Sequence, residues 1–252
     1  MGAVRRAGPR PGGRGLSASW DLSVAEGDAS KLVGVSAGAA GDRESGDRRL
    51  CVVCDVNEQA VVLGSTQAET DIDLPRCEQL GISVVRRRSG GGAVLVGPRA
   101  QVWIDVFLPP GDPLSARDVG QSFLWFGQVW AEAISALIAP AEGDGGRGVV
   151  TVIQPGTAPP TPWSRMLCFG GLGAGEVTLD GRKVVGISQK RDRSGSWLHS
   201  MALLRDTSED LGACLALDEN ARSLAVSWLR GYSGVVVTPA QSLVEAVFAS
   251  LP

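Results

Sequence analysis

Apolar positions along this chain follow two periods. Between residues 119 and 137, Val119, Phe123, Phe126, Trp130, Ile134 and Leu137 recur at three- and four-residue steps, after an acidic, Pro-bearing start at Asp112-Pro113. That spacing predicts the longest helix and marks its buried face. Elsewhere the apolar runs are short. Residues 50–55 and 59–63 read as strands, and Val56-Asn57-Glu58 between them reads as a hairpin turn. A short helix over 74–80, closed by Gly81, precedes a strand over 82–85. Residues 93–96 and 101–108 predict a second hairpin, in which Val102, Ile104 and Val106 alternate with Trp103, Asp105 and Phe107. Residues 175–179 and 183–189 predict a third, turning at Asp180-Gly181. A strand over 197–204 follows. From residue 208 the pattern is helical, with Leu211, Leu215, Leu224, Trp228, Leu243, Val247 and Leu251 on the buried side. A weak helix over 29–36, a polar loop over 41–48 and a Gly/Pro-rich connection over 139–162 around the apolar run 149–153 complete the chain, without an internal repeat.

Mixed strands and helices in 252 residues, 44% of them hydrophobic, predict one α/β domain over 20–252. Arg5, Arg6, Arg10 and Arg14 stand among Gly and Pro, with no apolar stretch of the kind a signal peptide carries. Residues 1–19 therefore read as a disordered basic tail. Lys plus Arg at 24 against Asp plus Glu at 27 leaves a formal charge of -3, so no overall basic field draws the chain to nucleic acid. No run approaches the roughly 20 apolar residues of a membrane span.

The five cysteines, Cys51, Cys54, Cys77, Cys168 and Cys214, are odd in number and scattered, which fits a reducing compartment and predicts a cytoplasmic protein. Cys51 and Cys54 form an isolated C-x-x-C. A zinc site would need a second ligand pair, and His199 is the only histidine, so no metal is expected. Residues three apart on one strand also point to opposite faces.

Three glycines in a row are unsuited to a sheet interior. Gly90, Gly91 and Gly92 suit a place where backbone N–H groups meet a ligand closely. Arg86 and Arg87 lie beside them, and guanidinium forks favour phosphate or carboxylate. A flexible charged turn would show the same composition. Lys183 stands just past the Asp-Gly turn, where a surface lysine is the ordinary alternative to a ligand-facing one. Cys168, in Leu167-Cys168-Phe169, is either a small buried hydrophobe or a nucleophile.

The segment Arg86-Arg87-Arg88-Ser89-Gly90-Gly91-Gly92-Ala93-Val94 resembles the signature of lipoate-protein ligases and octanoyltransferases, members of the biotin/lipoate protein ligase superfamily. That family usually continues with an aromatic and a His, where this chain has Leu95-Val96-Gly97. Residues 60–67, with a Gly-x-x-Gln turn at Gly64 to Gln67, are similar to the family's pocket floor, and residues 181–189 to its lysine strand. A Cys-Phe pair ahead of that strand, with Glu176 between, is similar to the octanoyltransferases that form a cysteine thioester.

The resemblance implies an α/β fold with a mixed, largely antiparallel sheet flanked by helices. It implies that Cys168 and Lys183 are catalytic, and that Arg86, Arg87, Ser89, Gly90, Gly91, Gly92, Ala93, Gly186 and His199 bind substrate. The activity implied is transfer of an octanoyl or lipoyl group to a lysine of lipoyl-domain proteins, such as the glycine cleavage H protein or a 2-oxo acid dehydrogenase E2. Acyl carrier protein would be the donor, without a cofactor. A thiolate, favoured by a neighbouring cation, attacks a thioester without ATP. One alternative is an ATP- and Mg-dependent lipoate-protein ligase. Another is a catalytically silent acyl-binding homologue. The glycine-rich run 170–175 reads either as a mobile loop over the nucleophile or, equally, as a pocket altered for another acyl group.

Overall fold

The computed structural model describes residues 5–6, 20–34, 48–116, 118–138 and 151–252. Its strands are β1 (Arg5–Arg6), β2 (Trp20–Gly27), β3 (Arg49–Val56), β4 (Ala60–Leu63), β5 (Ser83–Arg86), β6 (Val94–Val96), β7 (Gln101–Leu108), β8 (Thr151–Ile153), β9 (Val177–Leu179), β10 (Arg182–Asp192) and β11 (Gly195–Leu203). The helices are α1 (Ala29–Leu32), α2 (Leu74–Gln79), α3 (Val119–Leu137), α4 (Ser208–Ala213), α5 (Glu219–Tyr232) and α6 (Ala240–Ala249). Eight strands form a large sheet in the order β1-β2-β3-β7-β11-β10-β9-β8, and three form a small one in the order β5-β4-β6. In the large sheet β2 and β3 are parallel and the other pairings antiparallel. The expected mixed, largely antiparallel sheet with flanking helices is what the chain forms.

Alternation along the central strands explains the layers. Val102, Ile104 and Val106 of β7, with Leu198 and Ala202 of β11, pack against Phe126, Trp130 and Ile134 of α3 and Leu243 and Val247 of α6. Trp103 of β7 and Trp197, Met201 and Leu203 of β11 point the other way, into a second core shared with the small sheet, α4 and α5. Each sheet face is thus covered, as apolar alternation on both sides demands. Cys51 belongs to the first core and Cys54 to the second, so the two thiols do not converge on one ion.

The helix over 119–137 matches its periodicity, and Asp118 caps it by accepting from Gln121 N at 3.2 Å. The hairpin at Asp180-Gly181 also forms, with both residues at positive φ, 50° and 77°, as a two-residue turn between twisted strands needs. Two predicted hairpins do not form. Strands β3 and β4 diverge into different sheets, and so do β6 and β7. All four residues of β4 are buried, so it needs partners of its own, which are β5 in parallel and β6 antiparallel. Asn57, expected in a tight turn, donates instead to Gly27 O at 3.1 Å.

Strand β2 has no counterpart among the predicted elements, although Trp20, Leu22 and Val24 alternate with Asp21 and Ser23. Leu224 was expected inside and is 65% exposed, because α5 buries Ala225, Val226 and Leu229 instead. Leu137 at the end of α3 is also exposed. The predicted tail over 1–19 lies outside the described residues except for β1, and so do the polar loop over 41–47 and residues 139–150 of the connection. Among the described residues no helix is long and apolar enough to cross a membrane.

The small sheet decides where the triglycine segment runs. Strands β5 and β6 lie on either side of β4, so the chain joining them must pass over the end of β4. There it touches Gly64, where an added Cβ would stand 1.8 Å from Gly91 O. Gly64→Ala is expected to lower stability by about 1–3 kcal/mol through overpacking. At this chain length that corresponds to a fall in Tm of roughly 2–12 °C. An unchanged melting curve for the variant would show that Gly91 does not pass this close.

Candidate active site

A bulge in β10 decides which of its side chains reach the site. On a regular strand Lys183 and Gly186, three residues apart, would face opposite sides. The register of β10 against β9 shifts between Lys183 and Val185. The extra residue re-aims the strand, and both positions line one cavity of about 330 Å³ between the two sheets. That is the lower end of the range typical of small-ligand pockets, about 300–1,000 Å³. Val62, Val94, Trp103 and Met201 give it apolar walls, and Gly90, Gly91, Gly92, Cys168 and His199 also line it.

Lys183 is only 2% exposed, unlike a surface lysine. Its Nζ donates to Cys168 O at 2.7 Å and Gly171 O at 3.0 Å, and it pairs with Glu176 Oε2 at 2.6 Å. Three acceptors are as many as an ammonium can satisfy. The Phe169 ring lies 5.1 Å below the charge. Glu176 is buried too, and also accepts from Gly173 N at 2.6 Å and Ile187 N at 3.2 Å. The sequence placed Glu176 between Cys168 and Lys183 without a role, and its role here is to hold the ammonium. The 170–175 run is accordingly tied down through Gly171 O, Gly173 N and a bond from Gly175 N to Gln154 O, 2.8 Å. Gly171, Leu172 and Gly173 line the cavity together with Cys168.

Cys168 begins a 3-10 turn, Cys168–Gly170, whose position is set from the triglycine side. Ala93 N and Gln67 Nε2 both donate to Met166 O, at 2.8 and 3.0 Å, and Cys168 N donates to Ala93 O at 2.9 Å. An added Cβ at Gly92 would lie 2.5 Å from Leu167 N, so only glycine allows this approach. All five cysteines lie among the described residues, and none is disulfide-bonded. Four are buried, while Cys168 is half-buried on the cavity wall. Burial pushes the thiols of Cys51, Cys54 and Cys77 up from the ordinary range, and that of Cys214 up to about 12. Those four are held as inert thiols.

The expected binding residues divide into two groups. Arg87, Gly90, Gly91, Gly92, Gly186 and His199 line the cavity. Arg86, Ser89 and Ala93 do not, and support it from behind. Arg86 donates to Gly64 O and Gln67 O at 2.8 and 2.6 Å, holding the Gly-x-x-Gln turn. Ser89, almost fully buried, lies 2.9 Å from Ser188 Oγ. Even Arg87 turns its guanidinium to Gly90 O and Gly92 O, at 2.8 and 3.0 Å. Its burial lowers it from its ordinary value, an effect opposed by the nearby Cys168 and Glu176. Through these backbone carbonyls the two arginines hold the glycine segment and the Gly-x-x-Gln turn, Arg87 from the cavity wall itself.

His199 lines the cavity with Nδ1 2.7 Å from Asp105 Oδ2. Asp105 was absent from the expected site residues. Its signal was available: an acid within the apolar strand over 101–108 must find a partner once buried, and it is 1% exposed.

Comparison with known proteins bears on this arrangement. The model of the lipoyl protein ligase A/B catalytic domain matches residues 40–231. An octanoyltransferase LipM of Moorella thermoacetica is 30% identical over 155 residues, 62% of this chain and 53% of that protein. A second LipM, from an Exiguobacterium species, is 29% identical over 167 residues, 66% and 58%. The chain thus spans a little over half the length of the curated relatives it matches. Among solved structures, a bi-partite lipoate protein ligase from Thermoplasma acidophilum, described with its E2 lipoyl domain, shares the fold. Its TM-score is 0.66 at 17% identity, covering 91% of this chain and 80% of that one.

Proposed function

The chain belongs to the lipoyl protein ligase A/B catalytic domain family, and from that premise we propose that it is a cysteine-dependent octanoyltransferase. Cys168 takes the acyl group from a carrier thioester, acyl carrier protein being the donor, and passes it to a lysine of a lipoyl-domain protein such as an H protein or an E2. The observation that carries this reading is that one half-buried thiol, among four inert ones, opens beside a buried ammonium onto an apolar cavity. Lys183 places positive charge where the carbonyl oxygen becomes negative. The free cysteines fit a cytoplasmic location.

The rival chemistry activates a free acid with ATP and magnesium. Triphosphate binding calls for cations free to meet it. Arg86 and Arg87 direct their N–H groups to protein acceptors, which favours the thioester route. Incubation with octanoyl carrier protein should give an enzyme heavier by one octanoyl group, mapped to Cys168 by mass spectrometry. Pyrophosphate release with lipoate and ATP, and no thioester, would replace this reading by the ligase one. Binding of acyl ligand with neither product would leave a silent homologue.

Gly186 offers a test of how the acyl chain lies. A Cβ there would stand 3.5 Å from Cys168 Sγ and 3.6 Å from Lys183 Cε, which is ordinary contact. Gly186→Ala should fold and work. Gly186→Leu should fold yet lose octanoyl transfer at least ~10-fold while keeping transfer of a two- to four-carbon acyl group, since its extra carbons fill the slot beside the sulfur. Equal loss for short and long donors would mean that the chain does not run past Gly186.

A further inference from the structure

The reaction proposed above moves a proton twice, and Lys183 is poorly placed to receive it. Its three N–H donors face Cys168 O, Gly171 O and Glu176 Oε2. A nitrogen surrounded by three acceptors is a donor, with no lone pair turned to a nucleophile.

The geometry points to His199 as the proton acceptor of this site, with Asp105 as the residue that positions it. Asp105 is 1% exposed, and its two oxygens have distinct partners: Trp103 Nε1 donates to Oδ1 at 2.7 Å, and His199 Nδ1 lies 2.7 Å from Oδ2. Indole N–H is donor only, so the carboxylate accepts there. With Nδ1 donating to the other oxygen, the imidazole tautomer is set and Nε2 keeps its lone pair. That Nε2 is buried and has no hydrogen-bond partner, and the ring lines the cavity. The Trp197 ring, stacked at 10° and 6.4 Å, fixes the imidazole plane.

Strand register puts His199 and the sulfur over one face of the sheet. His199 pairs with Ser188, and Gly186 with Met201, so His199 and Gly186 are diagonal neighbours on one face of adjacent strands. Such neighbours lie ~7–8 Å apart at their backbones, within reach of a long side chain. Cys168 Sγ sits over Gly186.

The proton inventory closes at each step, and the inference rests on the octanoyltransferase reading. In the first step Nε2 takes the proton of the Cys168 thiol. The sulfur bonds to the acyl carbonyl carbon, the carrier C–S bond breaks, and the carrier sulfur leaves with the proton returned from Nε2. In the second, the acceptor lysine nitrogen bonds to the acyl carbon and gives its proton to Nε2. The bond to Cys168 breaks, and its sulfur takes that proton back.

The test uses full-length protein and a preformed octanoyl carrier thioester, with kcat, KM and Cys168 acylation measured for the wild type, His199→Gln, His199→Ala and Asp105→Asn. The expected result is a kcat lower by about 10²–10⁴ for both His199 variants with KM little changed. Asp105→Asn should fall comparably, because an amide can donate to Nδ1 and so occupy the wrong tautomer. Added imidazole should partly restore His199→Ala and not Asp105→Asn. Thermal unfolding of His199→Gln, which can still donate to Asp105, separates misfolding from lost chemistry. Folded His199 variants that acylate Cys168 at the wild-type rate, or a folded His199→Ala that is indifferent to imidazole, would overturn the role of His199 alone. A wild type that never forms the Cys168 thioester would overturn the octanoyltransferase reading, and this inference with it.

Discussion

Replacing Cys168 by serine is expected, on the proposed octanoyltransferase reading, to reduce octanoyl transfer by about three orders of magnitude or more while leaving the fold intact. The hydroxyl is nearly isosteric with the thiol and sits in the same half-buried place at the start of the 3-10 turn. Its backbone N–H still donates to Ala93 O, and its carbonyl still accepts from Lys183, so stability should change little. What is lost is a polarizable, ionisable nucleophile matched to a thioester donor. The corresponding change at Cys77, whose thiol burial holds in its neutral form, should cost stability and leave the acyl-enzyme unaffected. Turnover together with intact-mass detection of the acyl adduct checks both. Wild-type turnover in the Cys168 variant would remove the covalent route altogether.

How much of this was legible beforehand depended on the range of the interaction concerned. Helix α3 declared itself because its contacts repeat within one turn. The Asp180-Gly181 turn did so because two adjacent left-handed residues are a local demand. Pairing of β3 with β4 and of β6 with β7 was expected from short links. It failed because the allocation of strands to two sheets is settled by burial on both faces, which no short window contains.

The site follows the same division. The triglycine, Cys168 and Lys183 were found through a contiguous resemblance, and they do share one cavity. That Lys183 and Gly186 face the same way depends on a bulge that only the register of β9 reveals. Glu176 was noted without a role and Asp105 was not singled out, since a carboxylate gains meaning from its partner, here Lys183 and His199, 7 and 94 positions away. The arginines show a further ambiguity: a guanidinium beside glycines suggests an anion, and backbone carbonyls, which Arg86 and Arg87 meet here, are acceptors of the same kind.

The Lys183–Glu176 pair permits a separation of architecture from chemistry. Lys183→Met should lower stability by about 3–5 kcal/mol, because it strands a buried carboxylate with only Gly173 N and Ile187 N as partners. At this length that is a fall in Tm of roughly 6–20 °C. It also removes the positive charge that the proposed mechanism sets beside the reacting carbonyl, for which about 10²–10³ in kcat is the expected loss. Glu176→Gln should be destabilising for the converse reason, an ammonium buried without its counter-charge, yet retain more activity because the cation remains. In the double variant no uncompensated charge is left, so stability should return toward the wild type, since the penalty of the single changes lies mainly in the orphaned partner. Activity should not return with it. Measured below the lowest Tm of the set, octanoyl transfer by the double variant should stay at the Lys183→Met level. Recovery of both together would make Lys183 a residue that only holds Cys168 and Gly171 in place, and the negative charge of the transition state would need another partner in the cavity.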